Sequence, residues 1–435
     1  MTNPTMHQNG TSTDSMLGLA CAGGVVEGAV YEIGALCALD ESIAGADFHA
    51  LDAYVGVSSG ALIGSLLANG VPAHALRQSV VGESSDPTLN LQPEQLFAPD
   101  FQEYARRLQR LPGTVVSTMA HYVRNPRDLS LLGMLSTFGS LLPPGFFTNA
   151  TLESFLRTAF NEPGRTNDFR TLQPMLRVVA MHLDSAHVAV FGEPGYDHVP
   201  ISKAIQASTA LPVLYSPVEI DGEMYIDGVA RRTVHASVTL NAGADLVFCI
   251  NPIVPVDLQM ENHARRLFAT RHHGLADHGL PAVLSQTFRA IVDSRKRTGF
   301  KKYKHTHPHA DLLLIEPDVK DTRMFFSNIF SFKNRHDVCE HAYQATRHHL
   351  RENEETIAPI LQRHGLSFRT HVLHDRSRTL YAAEDTARLR RRIGAAEAPS
   401  TSEVLKQTDN VLARLDGVLT ALERKATSQT VAVPS

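Results

Sequence analysis

Cysteine is scarce in this chain: Cys21, Cys37, Cys249 and Cys339 are the four among 435 residues, and none stands in CxxC spacing. That argues against a disulfide scaffold or a thiolate zinc site. Cys21 and Cys249 also lie inside apolar, strand-like runs, which predicts buried free thiols and fits a reducing, cytoplasmic setting. No stretch reaches the roughly 18 uninterrupted apolar residues of a spanning helix, so any contact with lipid is expected to be peripheral. Residues 1–15 have no apolar signal core and read as a disordered lead. Charge of neither sign dominates, the formal net being -4, which argues against a nucleic-acid binder with its basic field. No HExxH occurs. The 22 histidines include His272-His273, His305, His307, His309 and His348-His349, all in polar or helix-edge sequence, and these read as solvated. No metal or other cofactor is expected.

What is present begins as strand, tight loop, helix. Met16 to Ala22 is an apolar run ending in glycines, and Gly28 to Asp40 has helical composition. The order repeats at once: Tyr54-Val55 leads into Gly56-Val57-Ser58-Ser59-Gly60, then an apolar helix runs to Ala68 and stops at Asn69-Gly70. Two βα units in succession predict a parallel sheet. Further strands are expected over Arg177 to Asp184, His187 to Phe191, Met224 to Ile226, Ala244 to Asn251 and Asp311 to Ile315. Helices are expected over Ile201 to Ser208, Pro281 to Lys304 and Asn334 to Leu350. The expected organisation is a catalytic domain over 16–255 with a proline-broken cap inserted at about 82–147. A helical extension over 256–369 completes it, followed by a charged linker at 370–402 and a C-terminal helix and tail over 403–435. The apolar recurrence Val404, Val411, Val418 gives that last helix a wide face, suited more to docking on the body than to a coiled coil.

The chemistry-bearing motif is Gly56-x-Ser58-x-Gly60 between strand and helix. Glycines there relieve crowding around a serine forced into a sharp turn, and the helix N-terminus favours the negative charge that develops in acyl transfer. A nucleophile needs a base. Asp227 in Tyr225-Ile226-Asp227-Gly228-Val229 stands at a strand end before a turn-permitting glycine. Upstream, Ala22-Gly23-Gly24-Val25-Val26-Glu27-Gly28 joins the first strand to the first helix and can converge backbone N–H groups on an oxyanion. A phosphate loop is the competing reading, but no Gly-Lys-Ser/Thr follows.

Glycine-rich loop, G-x-S-x-G and Asp-Gly, in that order, resemble the patatin-like phospholipases of bacterial type over roughly residues 17–255. Supporting segments are Gly28 to Leu36 and Ala204-Ile205-Gln206-Ala207-Ser208-Thr209-Ala210-Leu211-Pro212. The resemblance implies a three-layer α/β/α fold and a lipid acyl hydrolase of the phospholipase A or lysophospholipase kind. It also implies a Ser58–Asp227 dyad without histidine, and an oxyanion hole formed by Gly23, Gly24 and Val25. The chain departs from the family in three places. Val25 stands where a glycine is usual, Glu27 where a basic residue is usual, and Val229 where glycine or alanine follows Asp-Gly.

Two rival readings stay open: a patatin-fold binding or scaffold protein with an impaired oxyanion loop, and a Ser-His-Asp esterase using His235, with His198 a poorer fit to the chain order. Two further expectations come from the same sequence. Val25→Gly should raise the acylation rate if the valine misaligns the loop. The basic run Arg295-Lys296-Arg297 to Lys301-Lys302-Tyr303-Lys304 should hold the enzyme peripherally on anionic membrane.

Overall fold

The computed structural model describes residues 15–81, 84–101, 103–107, 143–231, 234–258, 275–321 and 334–381. The chain divides into two compact units, 1–99 with 144–380, and 100–143 with 381–435. In the second unit residues 103–107 are helical, with Glu103 paired to Arg106 and Arg107. The lead at 1–14, most of the expected cap, and the C-terminal helix lie outside the described residues. So does the aromatic stretch Met324 to Phe330.

Strands β1 (Leu17–Cys21), β2 (Ala53–Val57), β3 (Met175–His182), β7 (Leu246–Ile250) and β8 (Asp311–Ile315) pair in parallel in the order β8-β7-β1-β2-β3. Strand β4 (Val188–Phe191) folds back antiparallel on the far edge of β3. Residues of β1, β2 and β7 are almost all buried, as expected for parallel strands covered on both faces.

One face of the sheet presents Ala20, Val55, Val57, Val247 and Cys249 to α6 (Ala236–Asn241) and to Tyr303 of α7 (Gly279–Thr306). The opposite face carries α1 (Val25–Ser42), α2 (Ser59–Ala68) and, outside α1, α8 (Arg335–Glu352). Helix α1 is buried on nearly every side because α8 presses on its outer face. A Cβ at Gly34 would lie 2.2 Å from the Cys339 carbonyl oxygen. The architecture is thus three layers with a mostly parallel sheet, as the resemblance implied. All four cysteines are buried free thiols. Residues 370–381, the described part of the stretch read as a linker, include a helical turn, Thr370–Leu373. Buried Arg347 holds it by donating to the carbonyls of Val372 and Asp375.

Candidate active site

Two strands arrive at β3 from opposite directions and stop beside each other. β2 runs parallel to β3 and its last residue, Val57, pairs with Val179. Strand β6 (Glu223–Asp227), itself paired to β5 (Val218–Ile220), runs antiparallel to β3 and its last residue, Asp227, pairs with Ala180. Because β4 occupies the other edge at these positions, β2 and β6 share one edge of β3 and meet end to end. Ser58 and Asp227, far apart in sequence, are therefore brought together by adjacent register positions.

Ser58 caps α2 with φ 55 and ψ -123, a left-handed conformation that costs a non-glycine residue about 1–3 kcal/mol and is typical of a functional constraint. The flanking glycines allow it through close approach. A Cβ on Gly56 would meet the Gly60 carbonyl oxygen at 2.3 Å, and one on Gly60 would meet the Ala22 carbonyl oxygen at 2.4 Å. The elbow is thus pressed against the loop that leaves β1. A Cβ on Gly23 of that loop would lie 2.9 Å from the Ser58 Cβ, so a glycine there lets the loop backbone press against Ser58.

Asp227 is 1% exposed, and its Oδ1 accepts from the Val229 backbone N–H at 2.9 Å. Its Oδ2 meets no hydrogen-bond geometry among the described residues. Burial pushes the Asp227 pKa up to about 7, against smaller downward pulls from the Val229 N–H and the Ser58 hydroxyl. The Ser58 hydroxyl is thus close enough to the carboxylate to favour its charged form. A carboxylate poised near neutrality, with one oxygen anchored by a backbone N–H, is a candidate proton acceptor.

Sequence reasoning missed Ser208. Its Oγ accepts from the Ser58 backbone N–H at 2.8 Å and donates to the Val179 carbonyl at 2.6 Å, all inside the core. It lies in the segment Ala204 to Pro212, whose resemblance was noted but not its role. Ser208 is a positioning residue. Ser208→Ala leaves one donor and one acceptor buried without a partner, which should cost roughly 2–4 kcal/mol of stability. Slack in the elbow should then lower kcat about tenfold with KM little changed. Urea unfolding and ester kinetics check both, and an unaltered kcat would mean that α2 and β2 hold the elbow alone.

The departures in the glycine loop have structural counterparts. Val25 has φ 56, the backbone a glycine would adopt. Glu27 is buried, and its pKa is raised to about 7 by burial, with Arg289 of α7 pulling it down and Asp321 pushing it up. Arg289, also buried, donates to the Val254 carbonyl. A cation is thus present beside this loop, supplied by α7 instead of by position 27.

A cavity of about 130 Å³ opens at Ser58 between α1, α2, α3 (Ala73–Val81) and α4 (Ala150–Phe160). Val30, Leu62, Leu66, Leu152 and Leu211 line it, and Arg335 is its one charged group among the described residues. No histidine lines it among those residues. His198 instead hydrogen-bonds Asp221 at 2.8 Å on the surface, and His235 is buried at the N-cap of α6. No group of three or more metal-ligating side chains occurs among the described residues.

A comparison with solved structures finds a likeness to VipD from Legionella pneumophila over 78% of this chain and 67% of that one. Its identity is 14% and its TM-score 0.29. No curated protein matches. The family model described as patatin-like phospholipase matches residues 19–240, a span that runs from β1 through the Ser58 elbow and Asp227 into α6. That match covers half the chain, and the chain belongs to the patatin-like phospholipase family.

Proposed function

We propose that the chain hydrolyses carboxylic esters of lipids through a Ser58–Asp227 dyad and an acyl-enzyme intermediate. The observation that carries this reading is the meeting of β2 and β6 on one edge of β3. It sets a strained serine, which lines an apolar cavity, beside a buried carboxylate of raised pKa.

In the proposed reaction the Ser58 Oγ–H proton passes to Asp227 Oδ2 as Oγ attacks the ester carbonyl carbon. The carbonyl oxygen becomes an oxyanion facing the Gly23-Gly24-Val25 loop and the N-terminus of α1. Collapse breaks the C–O bond, and the proton held by Asp227 goes to the departing alcohol. A water then gives its proton to Asp227 and attacks the acyl carbon, and Ser58 leaves reprotonated as the fatty acid is freed. The leucine-lined cavity would take the acyl chain, since its walls offer almost no polar partner. Labelling of the full chain by a fluorophosphonate probe, abolished in Ser58→Ala, tests the nucleophile. A chain that takes no label would be a binding protein on a patatin fold.

That scaffold reading has one observation in its favour, the valine and the acid in the oxyanion loop. The conformation of Val25 weighs against it. With valine already in the left-handed region, the loop backbone runs as it would with glycine, so Val25→Gly is expected to change stability more than rate. Relief of a β-branched residue at positive φ is worth about 1–3 kcal/mol, offset by about 0.5–1 kcal/mol of extra chain entropy. A melting temperature raised by a few degrees, with kcat within about threefold, is the expected result. A rate gain above tenfold would restore the expectation that valine impairs the oxyanion site.

A further inference from the structure

Helix α7 carries an exposed stripe of unusual composition. Leu280, Leu284, Phe288 and Ile291 recur at the spacing of one helical face and are 69%, 58%, 38% and 51% exposed. The same face continues past Ser294 and Arg295 to Lys302, with Lys301 at its edge, both exposed. One side of a helix about 42 Å long therefore changes from apolar to basic along its length. The other side is anchored. Tyr303 packs on the sheet, Lys296 is buried in ion pairs with Asp293 and Glu316, and the Gln286 amide accepts from the Val256 N–H and donates to the Val256 carbonyl.

The basic run expected to hold membrane is thus partly engaged within the protein. Arg295 donates to the carbonyls of Ala230 and Arg231, Lys296 is buried, and Arg297 pairs with Asp293. What the surface adds is the apolar half. That half lies at the catalytic edge of the sheet, because Gln286 and Arg289 are tied to residues 254–256, just beyond the carboxyl end of β7. The helix also acts on both sides of the site: the charge of Arg289 is felt by Glu27 of the glycine loop, and Arg295 donates to the turn that follows Asp227.

We infer that α7 is an interfacial helix that docks the enzyme on an anionic lipid surface. Leu280, Leu284, Phe288 and Ile291 enter the acyl boundary, and Lys301 and Lys302 lie over the headgroups. The charge at the basic end selects an anionic partner, and the choice of lipid over a protein rests on the lipid-ester reading of the site. A helix docked this way sets the catalytic edge against the bilayer, where substrate is.

The test uses the full chain and vesicles of diether phosphatidylcholine, with or without diether phosphatidylglycerol, which contain no ester to cleave. Wild type should cosediment with the phosphatidylglycerol vesicles, and Leu280→Asp/Leu284→Asp should cut the bound fraction at least about tenfold. Lys301→Glu/Lys302→Glu should weaken binding and flatten its dependence on salt. Both variants should hydrolyse p-nitrophenyl butyrate in solution at the wild-type rate. Wild-type binding to neither vesicle, or undiminished binding by the leucine variant, overturns the inference. So does a change of oligomeric state in that variant, which would make the face a contact between proteins. Failure of all forms to hydrolyse the soluble ester would instead overturn the dyad and leave the docking result standing.

Discussion

Ser58→Ala should lower ester hydrolysis by at least about four orders of magnitude while the protein unfolds cooperatively at nearly its original temperature, since loss of a nucleophile removes the covalent route altogether. The substitution deletes one oxygen from a residue that is 6% exposed and leaves its backbone hydrogen bond to Ser208 in place. Alanine tolerates φ 55 no better and no worse than serine, so the strain at the elbow persists in the variant. Ser58→Gly makes a useful companion. It should be equally inactive yet more stable, because glycine adopts that conformation freely. Retention of near-wild-type rates on p-nitrophenyl esters by either variant would remove Ser58 from the chemistry.

Local patterning made much of this legible. The helix expected at Ile201 to Ser208 and the strand at Asp311 to Ile315 have those bounds in the structure, and the two opening βα units stand where glycine punctuates apolar runs. The elbow was readable because Gly56 and Gly60 are imposed by backbone contact, and only a glycine leaves room there. What could not be read is long-range. That Val57 and Asp227 abut depends on both pairing with consecutive residues of β3, and no local signal at Val179 or Ala180 announces it. Ser208 was hidden for the same reason, since its partners are Ser58 and Val179. The acid at position 27 looked like a defect because its counter-charge, Arg289, comes from a helix more than 250 residues later in the chain. Likewise, the basic run on α7 read as uniformly available charge until the fold placed Lys296 inside and left three neighbouring lysines outside.

Asp227→Asn should cost roughly two to three orders of magnitude in kcat, the range ascribed to general-base catalysis, because an amide is isosteric and can still accept from the Val229 N–H but takes no proton. The wild-type rate should rise with pH and reach half its limit near 7, where the buried carboxyl ionises, and the variant should lack that step. Stability runs the other way. Between the ordinary carboxylate range and about 7 the folded protein holds a proton that the unfolded chain has released, so raising pH through this window destabilises the fold. Asparagine carries no such penalty, and the melting temperature of Asp227→Asn relative to wild type should therefore climb from pH 5 to pH 8. Glu27 titrates in both proteins and cancels in the difference. A histidine triad predicts something else: His235→Ala would then be as damaging as Asp227→Asn, with the rate following an imidazole. His198→Ala and His235→Ala are both expected to keep most activity, since the cavity at Ser58 has no histidine among the described residues that line it. Equal losses in His235→Ala and Asp227→Asn would replace the dyad with a triad. A melting difference that stayed flat with pH would mean that Asp227 is already ionised in the resting fold.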